Sequence, residues 1–239
     1  TEEYACLGVF GPKSRNLMTD IAGKNFETND FPFASSKNIK ILDTEVWTQR
    51  LSYVGELGWE LYIPIKKAKD IYKKIITDGA KYQICHAGVH AMDTLRMEKG
   101  YLHWGHDITP EENQYEAGLG FAVSYKKKVN FIGKDILLKI KDQKPKKRLV
   151  ILSLKDNKPG FPLLLHDEPI LCNGKIIGRS TSGNYSFNYK KNMAFGYINS
   201  EWDLQKIEKQ DLEIEVEKIK YKALIEKQPL HDPKNIRIK

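Results

Sequence analysis

The sequence changes its hydrophobic period once, and that change limits the possible folds more than any other feature. Up to about residue 142, strand-like and helix-like patterns alternate. Past the basic, proline-containing run QKPKKR at 143–148, the helical period disappears. In the first part, YACLGVF at 4–10 is an apolar strand closed by Gly11-Pro12. Residues 13–21 form a short helix offering Leu17, Met18 and Ile21 to one face, and 37–42 and 46–53 are strands, the second running up to Tyr53. Residues 66–78 place Ala68, Ile71, Tyr72, Ile75 and Ile76 at amphipathic-helix spacing, with Gly79 as the stop. A further helix spans 88–99, with Gly100 where a left-handed cap belongs, and a last one spans 131–140.

In the second part, short strand patterns stand at 149–154, 169–171, 175–180, 193–198, 211–216 and 219–226. Turn sequences such as Asn173-Gly174 and Ser182-Gly183-Asn184 separate them, which predicts a small antiparallel barrel or sandwich. The fold class is therefore α+β: a mixed α/β part over 1–143 and an all-β part over 149–239.

Composition removes several function classes. With 239 residues there is room for one large domain or two ordinary ones. No apolar run approaches the ~20 residues of a membrane span. The start, Thr1-Glu2-Glu3-Tyr4, lacks a signal-peptide pattern, and the absence of Met there reads as the interior of a longer polypeptide. The net charge of +8 invites nucleic acid, but only six of the 39 basic residues are arginine, the residue expected at base edges. The lysine runs read as a solvated surface, with steering of a polyanionic ligand as the functional alternative. Cys6, Cys85 and Cys172 are odd in number and widely spaced, as for small apolar residues in a reducing compartment. That compartment is the cytoplasm, or the mitochondrial matrix in a eukaryote.

One octapeptide points to chemistry. Tyr53-Val54-Gly55-Glu56-Leu57-Gly58-Trp59-Glu60 brackets a carboxylate between glycines, opens on an aromatic and runs into the strand Leu61-Tyr62-Ile63. Glycines permit tight turns and close backbone approach. A carboxylate held there can accept two parallel N–H bonds, the pattern that the amino-pyrimidinone edge of a pterin offers. Strand alternation sets Trp59 and Leu61 opposite Glu60, so a plain surface glutamate is the alternative, and Glu56 at the turn tip is the competing carboxylate.

Other constellations carry less. His86, His90, His103 and His106 form HxxxH and HxxH pairs without the glutamate of a zinc helix, so no metal site is expected; His103 and His106 read as organisers of their loop. Arg96 and Glu98 read as a structural ion pair or carbonyl clamp, and Gly174, Gly178 and Gly183 as barrel turns. Gly8-Val9-Phe10-Gly11 lacks the spacing of a phosphate loop.

Four segments, in order, resemble one family: LGVFGPKSRNLM (7–18), YVGELGWELYIP (53–64), HAGVHAMDTLRMEKGYLHWGHDITPEENQYEAGLGFAV (86–123) and GKIIGRSTSGNYSFNYKKNMAFGYI (174–198). They are similar to the glycine-cleavage T-protein superfamily of folate-binding aminomethyltransferases. The third segment and the ending PLHDPKNIRIK are most similar to the C-terminal portion of dimethylglycine and sarcosine dehydrogenases.

The resemblance implies a folate-binding α/β domain, its N-terminal part lying before Thr1, followed by a C-terminal barrel. It implies tetrahydrofolate as cofactor, contacted by Tyr53 and Glu60, and an iminium derived from a small N-methyl amine as partner. The one-carbon unit would leave as 5,10-methylenetetrahydrofolate. FAD is expected only in a flavin domain or subunit upstream, for nothing here resembles a dinucleotide motif. Two departures count. The family's aspartate near the folate nitrogens would precede Thr1, and Met92 stands where aminomethyltransferases proper carry arginine. Both favour the dehydrogenase branch over a stand-alone aminomethyltransferase or demethylase, with a non-catalytic folate-binding module as the reading of another class. The catalytic residues are not identified from sequence.

Overall fold

The structure, a computed structural model, describes residues 2–23, 25–156 and 158–239. The chain divides into two compact units: Thr1–Lys99 with His231–Lys239, and Gly100–Leu230.

The first unit is built on a four-stranded antiparallel sheet. Its strands are β1 (Tyr4–Phe10), β2 (Ser36–Ile41), β3 (Thr44–Gln49) and β4 (Gly58–Pro64), in the order β1-β4-β3-β2. Three helices accompany it: α1 (Ser14–Ala22), α2 (Ile65–Gly79) and α3 (Val89–Glu98). Every second residue of the strands is apolar, so only one face needs cover. Val9, Ile39, Ile41, Val46, Trp59, Leu61 and Ile63 pack with Leu17, Met18 and Ile21 of α1 and Ile71 and Ile75 of α2. Each such fully buried side chain contributes on the order of 1.5–3 kcal/mol. Trp59 anchors the layer, its ring edge-on to Phe26 at 5.3 Å and tilted on Phe31 at 6.2 Å.

α2 ends at Gly79 as the sequence predicts, and a 3₁₀ turn (Ala80–Tyr82) leads on to a left-handed Gln83. Glycine is needed at 79 for packing, since a Cβ there would come within 2.8 Å of the Ile84 side chain. The strand expected over 46–53 ends at Gln49. Arg50 then turns inward, its guanidinium fully buried and donating to the Phe31 carbonyl at 2.7 Å, and residues 50–57 form an irregular excursion.

The second unit opens with a loop-rich stretch that includes α4 (Lys134–Ile140), which begins after a left-handed Gly133 and so starts later than residue 131. A closed antiparallel barrel follows, in the order β10-β5-β8-β7-β6-β9. Its strands are β5 (Lys147–Leu154), β6 (Pro169–Cys172), β7 (Lys175–Ser186), β8 (Lys191–Asn199), β9 (Leu212–Val216) and β10 (Ile219–Glu226), with a single turn α5 (Leu204–Ile207) after β8. β5 takes Lys147 and Arg148 from the basic run and pairs them with Asn199 and Ile198. Val150, Leu152, Ile170, Ile177, Ala194 and Ile214 fill the interior with their neighbours.

Of the three glycines expected at barrel turns, only Gly174 lies at one, with φ 77° in the β6–β7 hairpin. Gly178 and Gly183 lie within β7, where a Cβ would come within 1.9 Å of the Tyr197 carbonyl and 2.4 Å of Leu164. The Ser182-Gly183-Asn184 turn is thus a strand segment beside a bulge. Among the described residues no helix is long and apolar enough to cross a membrane.

Candidate functional site

Among the described residues α1 and α2 pack on one face of the first unit's sheet, and Glu60 lies on the other. β4 runs between β1 and β3, with Glu60 opposite Gly8 and Gln49, and Tyr62 opposite Cys6 and Trp47. Trp59, Leu61 and Ile63 are fully buried on the other side. Alternation therefore obliges Glu60 and Tyr62 to share the outward face. Tyr62 Oη donates to Glu60 Oε2 at 3.0 Å, and the Tyr62 ring packs on Trp47 with centroids 4.7 Å apart. At the other end, Phe10 lies opposite Gly58, and a Cβ on Gly8 or Gly58 would come within 2.3 or 2.2 Å of its ring. The two glycines thus leave the space that the Phe10 ring fills. Along the strand the carboxylate stands between the rings of Phe10 and Tyr62.

Glu60 sets the electrostatics of its neighbours Tyr62 and Cys6. Burial, then the hydrogen bond and charge of Glu60, push the Tyr62 phenol up to about 12. Burial, then the Glu60 charge, raise the Cys6 thiol, against an opposing hydrogen bond from Tyr62. Cys6 and Cys85 are exposed, contrary to the expectation of small buried residues, and only Cys172 is in a core. Cys6 is outward because β1 turns Val9 and the positions in phase with it toward the helices.

The rival carboxylate is otherwise engaged. Glu56 Oε1 accepts from His231 Nε2 at 2.8 Å and from an Arg237 guanidinium nitrogen at 2.9 Å. The same C-terminal segment is held by Lys99 Nζ, which reaches the Asp232 carboxylate at 3.1 Å in a pair almost wholly buried. The Asp232 carboxylate also accepts from the Ile236 and Arg237 amides. Gly55, with φ 76°, lies against the Lys99 side chain, where a Cβ would come within 3.0 Å of the stem. Glu56 is thus the tie between turn and tail. Tyr53 lies half-buried on the excursion that leads to Glu60.

The remaining candidates have structural partners. The His86 ring stacks on Tyr72, and its Nδ1 lies 3.2 Å from the Tyr72 hydroxyl. The His103 and His106 rings lie 4.6 Å apart, tilted at 35°, and both residues are exposed. Their loop is organised chiefly by Asp107, which is fully buried. Its carboxylate accepts from Thr181 Oγ1 at 2.5 Å, Ser182 Oγ at 2.8 Å and the His103 amide at 2.9 Å, and its carbonyl accepts from the Tyr197 hydroxyl at 2.9 Å. Arg96 pairs with Asp93, one turn earlier on α3, at 2.7 Å. No group of three or more metal-ligating side chains occurs among the described residues.

Sequence reasoning named Glu60 and Tyr53 and missed Tyr62, Trp47 and Phe10. The period-2 step from Glu60 to Tyr62 was available in the sequence. Trp47 and Phe10 needed the strand register, which the sequence does not carry.

Residues 1–127 match the family model of the GCVT N-terminal domain, and residues 147–232 match that of the glycine cleavage T-protein C-terminal barrel domain. The chain is 36% identical over its whole length to a 4-methylaminobutanoate oxidase (formaldehyde-forming) of Paenarthrobacter nicotinovorans, covering 28% of that protein. It is 36% identical to mitochondrial dimethylglycine dehydrogenase of Homo sapiens, over 96% of this chain and 26% of the relative. An aminomethyltransferase of Halothermothrix orenii is 36% identical over 83% of this chain and 54% of its own. The chain thus spans about a quarter of the length of the oxidase and dehydrogenase relatives. Among solved structures, the glycine cleavage system aminomethyltransferase T of Bartonella henselae superposes with a TM-score of 0.81 at 25% identity, over 96% of this chain and 60% of that one.

Proposed function

The chain belongs to the glycine cleavage T-protein family, and from that premise we propose that it is the tetrahydrofolate-binding portion of a flavin-dependent N-methyl amine dehydrogenase. One observation carries the reading. The glycine turn leads into β4, and β4 presents the Glu60 carboxylate on the sheet face opposite α1 and α2, beside the Tyr62 ring.

The donor set fits a reduced pterin. One carboxylate with acceptor positions left can take two parallel N–H groups, and flat apolar walls suit a flat heterocycle. Glu60 would hold the amino-pyrimidinone edge, and Tyr53 would contact the same ligand from the excursion 50–57. When bound, tetrahydrofolate supplies the secondary amine that captures the one-carbon unit, which leaves as 5,10-methylenetetrahydrofolate. The protein groups supply orientation and exclusion of water; no protein nucleophile is required. Cys6 is a poor candidate for one, since burial and the Glu60 charge raise its thiol.

Oxidation of an N-methyl amine to an iminium would belong to a flavin domain or subunit outside residues 1–239. The oxidase and dehydrogenase relatives, about four times longer than the matched region, support this division. A second reading has its own support: the oxidase relative is named as formaldehyde-forming, so the one-carbon unit could leave free. Product analysis with and without tetrahydrofolate separates the two.

The test of the folate site is Glu60→Gln. It should weaken reduced-folate binding by ~1.5–3 kcal/mol, the range for a hydrogen bond to a charged group. Calorimetry giving an unchanged Kd with the fold intact would remove Glu60 from the site. Glu56→Gln should leave Kd nearly unchanged, and the reverse ranking would transfer the role to Glu56.

A further inference from the structure

We propose that Tyr62 is a positioning residue for Glu60, fixing the plane in which its carboxylate meets the ligand. The inference rests on the folate reading of Glu60 and deepens it. Both side chains leave β4 on the same face two residues apart, and Tyr62 Oη donates to Glu60 Oε2 at 3.0 Å. A lone surface glutamate rotates about its last torsion, a broad two-fold well. A donor fixed on one oxygen removes that freedom, and the Tyr62 ring is itself held by Trp47 at 4.7 Å. Phe10 is seated over Gly8, the residue opposite Glu60, and over Gly58.

With one lone pair of Oε2 engaged, Oε1 and the remaining lone pair of Oε2 form a fixed pair of acceptors. That pair matches two parallel N–H donors on one ring edge better than a single donor. Tyr62 therefore governs selectivity for an edge with two donors, the ring N–H and the exocyclic amino group of a pterin. Its phenol, pushed up to about 12, keeps its proton throughout the neutral range and stays a donor there.

The experiment compares two probes, 5-formyltetrahydrofolate and its 2-desamino-2-methyl analogue, which lacks the exocyclic donor. Binding is measured by calorimetry on the full natural polypeptide, unsubstituted and as Tyr62→Phe, Glu60→Gln and the double variant, with folding checked by circular dichroism. Tyr62→Phe should weaken the parent ligand about threefold to tenfold, the worth of one hydrogen bond, and leave the analogue nearly unchanged, so discrimination falls. In the double variant, Tyr62→Phe should add nothing to Glu60→Gln. The proposal is overturned if Tyr62→Phe weakens both ligands by the same factor, as a merely structural role would, or changes neither. If Glu60→Gln leaves discrimination intact, or the unsubstituted protein binds neither probe, the folate reading of Glu60 itself fails.

Discussion

At the scale of single residues, the first unit turns on Trp59. It is fully buried, its ring packs against two phenylalanines, and the guanidinium groups of Arg15 and Arg50 lie 5.8 and 5.9 Å from its centroid. Trp59→Ala should cost about 3–5 kcal/mol in denaturant unfolding, through lost burial and the cavity left behind. Because the indole Nε1 has no partner among the described residues, Trp59→Phe sacrifices no hydrogen bond and leaves a smaller cavity, so it should cost less than Trp59→Ala. A measured ranking in the opposite order would contradict this packing. Cys6 reports on the charge next to it. Burial and the Glu60 carboxylate raise its thiol, so the midpoint of its alkylation rate should fall above the ordinary cysteine value of about 8.5. Glu60→Gln removes the charge and should move that midpoint down, as mass spectrometry of the Cys6 peptide would show.

At the scale of elements, β4 and the C-terminal segment 231–239 share the task of holding the turn. β4 places Glu60 by alternation alone, while Glu56 hands the turn to His231 and Arg237. The Asp232 carboxyl shows how the segment is fastened. Burial works to raise it, but the amides of Ile236 and Arg237 and the Lys99 ammonium outweigh this and hold it below the ordinary range. A depressed folded value means stability that is complete above the unfolded value of about 3.9 and is lost as pH falls through the lower folded value. Exchange of the Ile236 and Arg237 amides, corrected for intrinsic rates, should accelerate only in that acid window. Acceleration already at pH 6 would show that another group fastens the segment. Asp232→Asn leaves the Lys99 ammonium buried without its counter-charge and should destabilise the unit by about 3 kcal/mol.

At the scale of the whole molecule, the first unit is assembled from both ends of the chain, and the barrel unit is the stretch between them. Each unit has its own apolar cluster. Removing residues 231–239 takes away the buried Ile238, the partner of Lys99 and both partners of Glu56. The expected result is faster amide exchange over 53–58 and 94–99, with β8 of the barrel unchanged. Equal loosening of β8 would mean that the segment supports the barrel as well.

The sequence by itself determined the kinds of element and most of their places. The apolar run at 4–10 became β1, the run at 219–226 became β10, and the other strand runs formed strands with shifted ends, β7 running six residues further than expected; the 3.6-residue run at 66–78 became α2; and Gly100, with φ 77°, took the left-handed cap position after α3. These are local properties, fixed by the chain's own stereochemistry and by which side chains must leave water. Alternation alone also places Glu60 opposite Trp59. Tertiary structure alone decided what stands beside Glu60. Trp47 reaches Tyr62 through the β3–β4 register, Phe10 through β1–β4, and His231 reaches Glu56 across 175 positions of sequence. It also decided that Gly178 and Gly183 serve close packing rather than turns, because the atoms they make room for, on Tyr197 and Leu164, are brought there by the fold. Local stereochemistry is written residue by residue, whereas a neighbour across a sheet is set by the free energy of the whole packed layer.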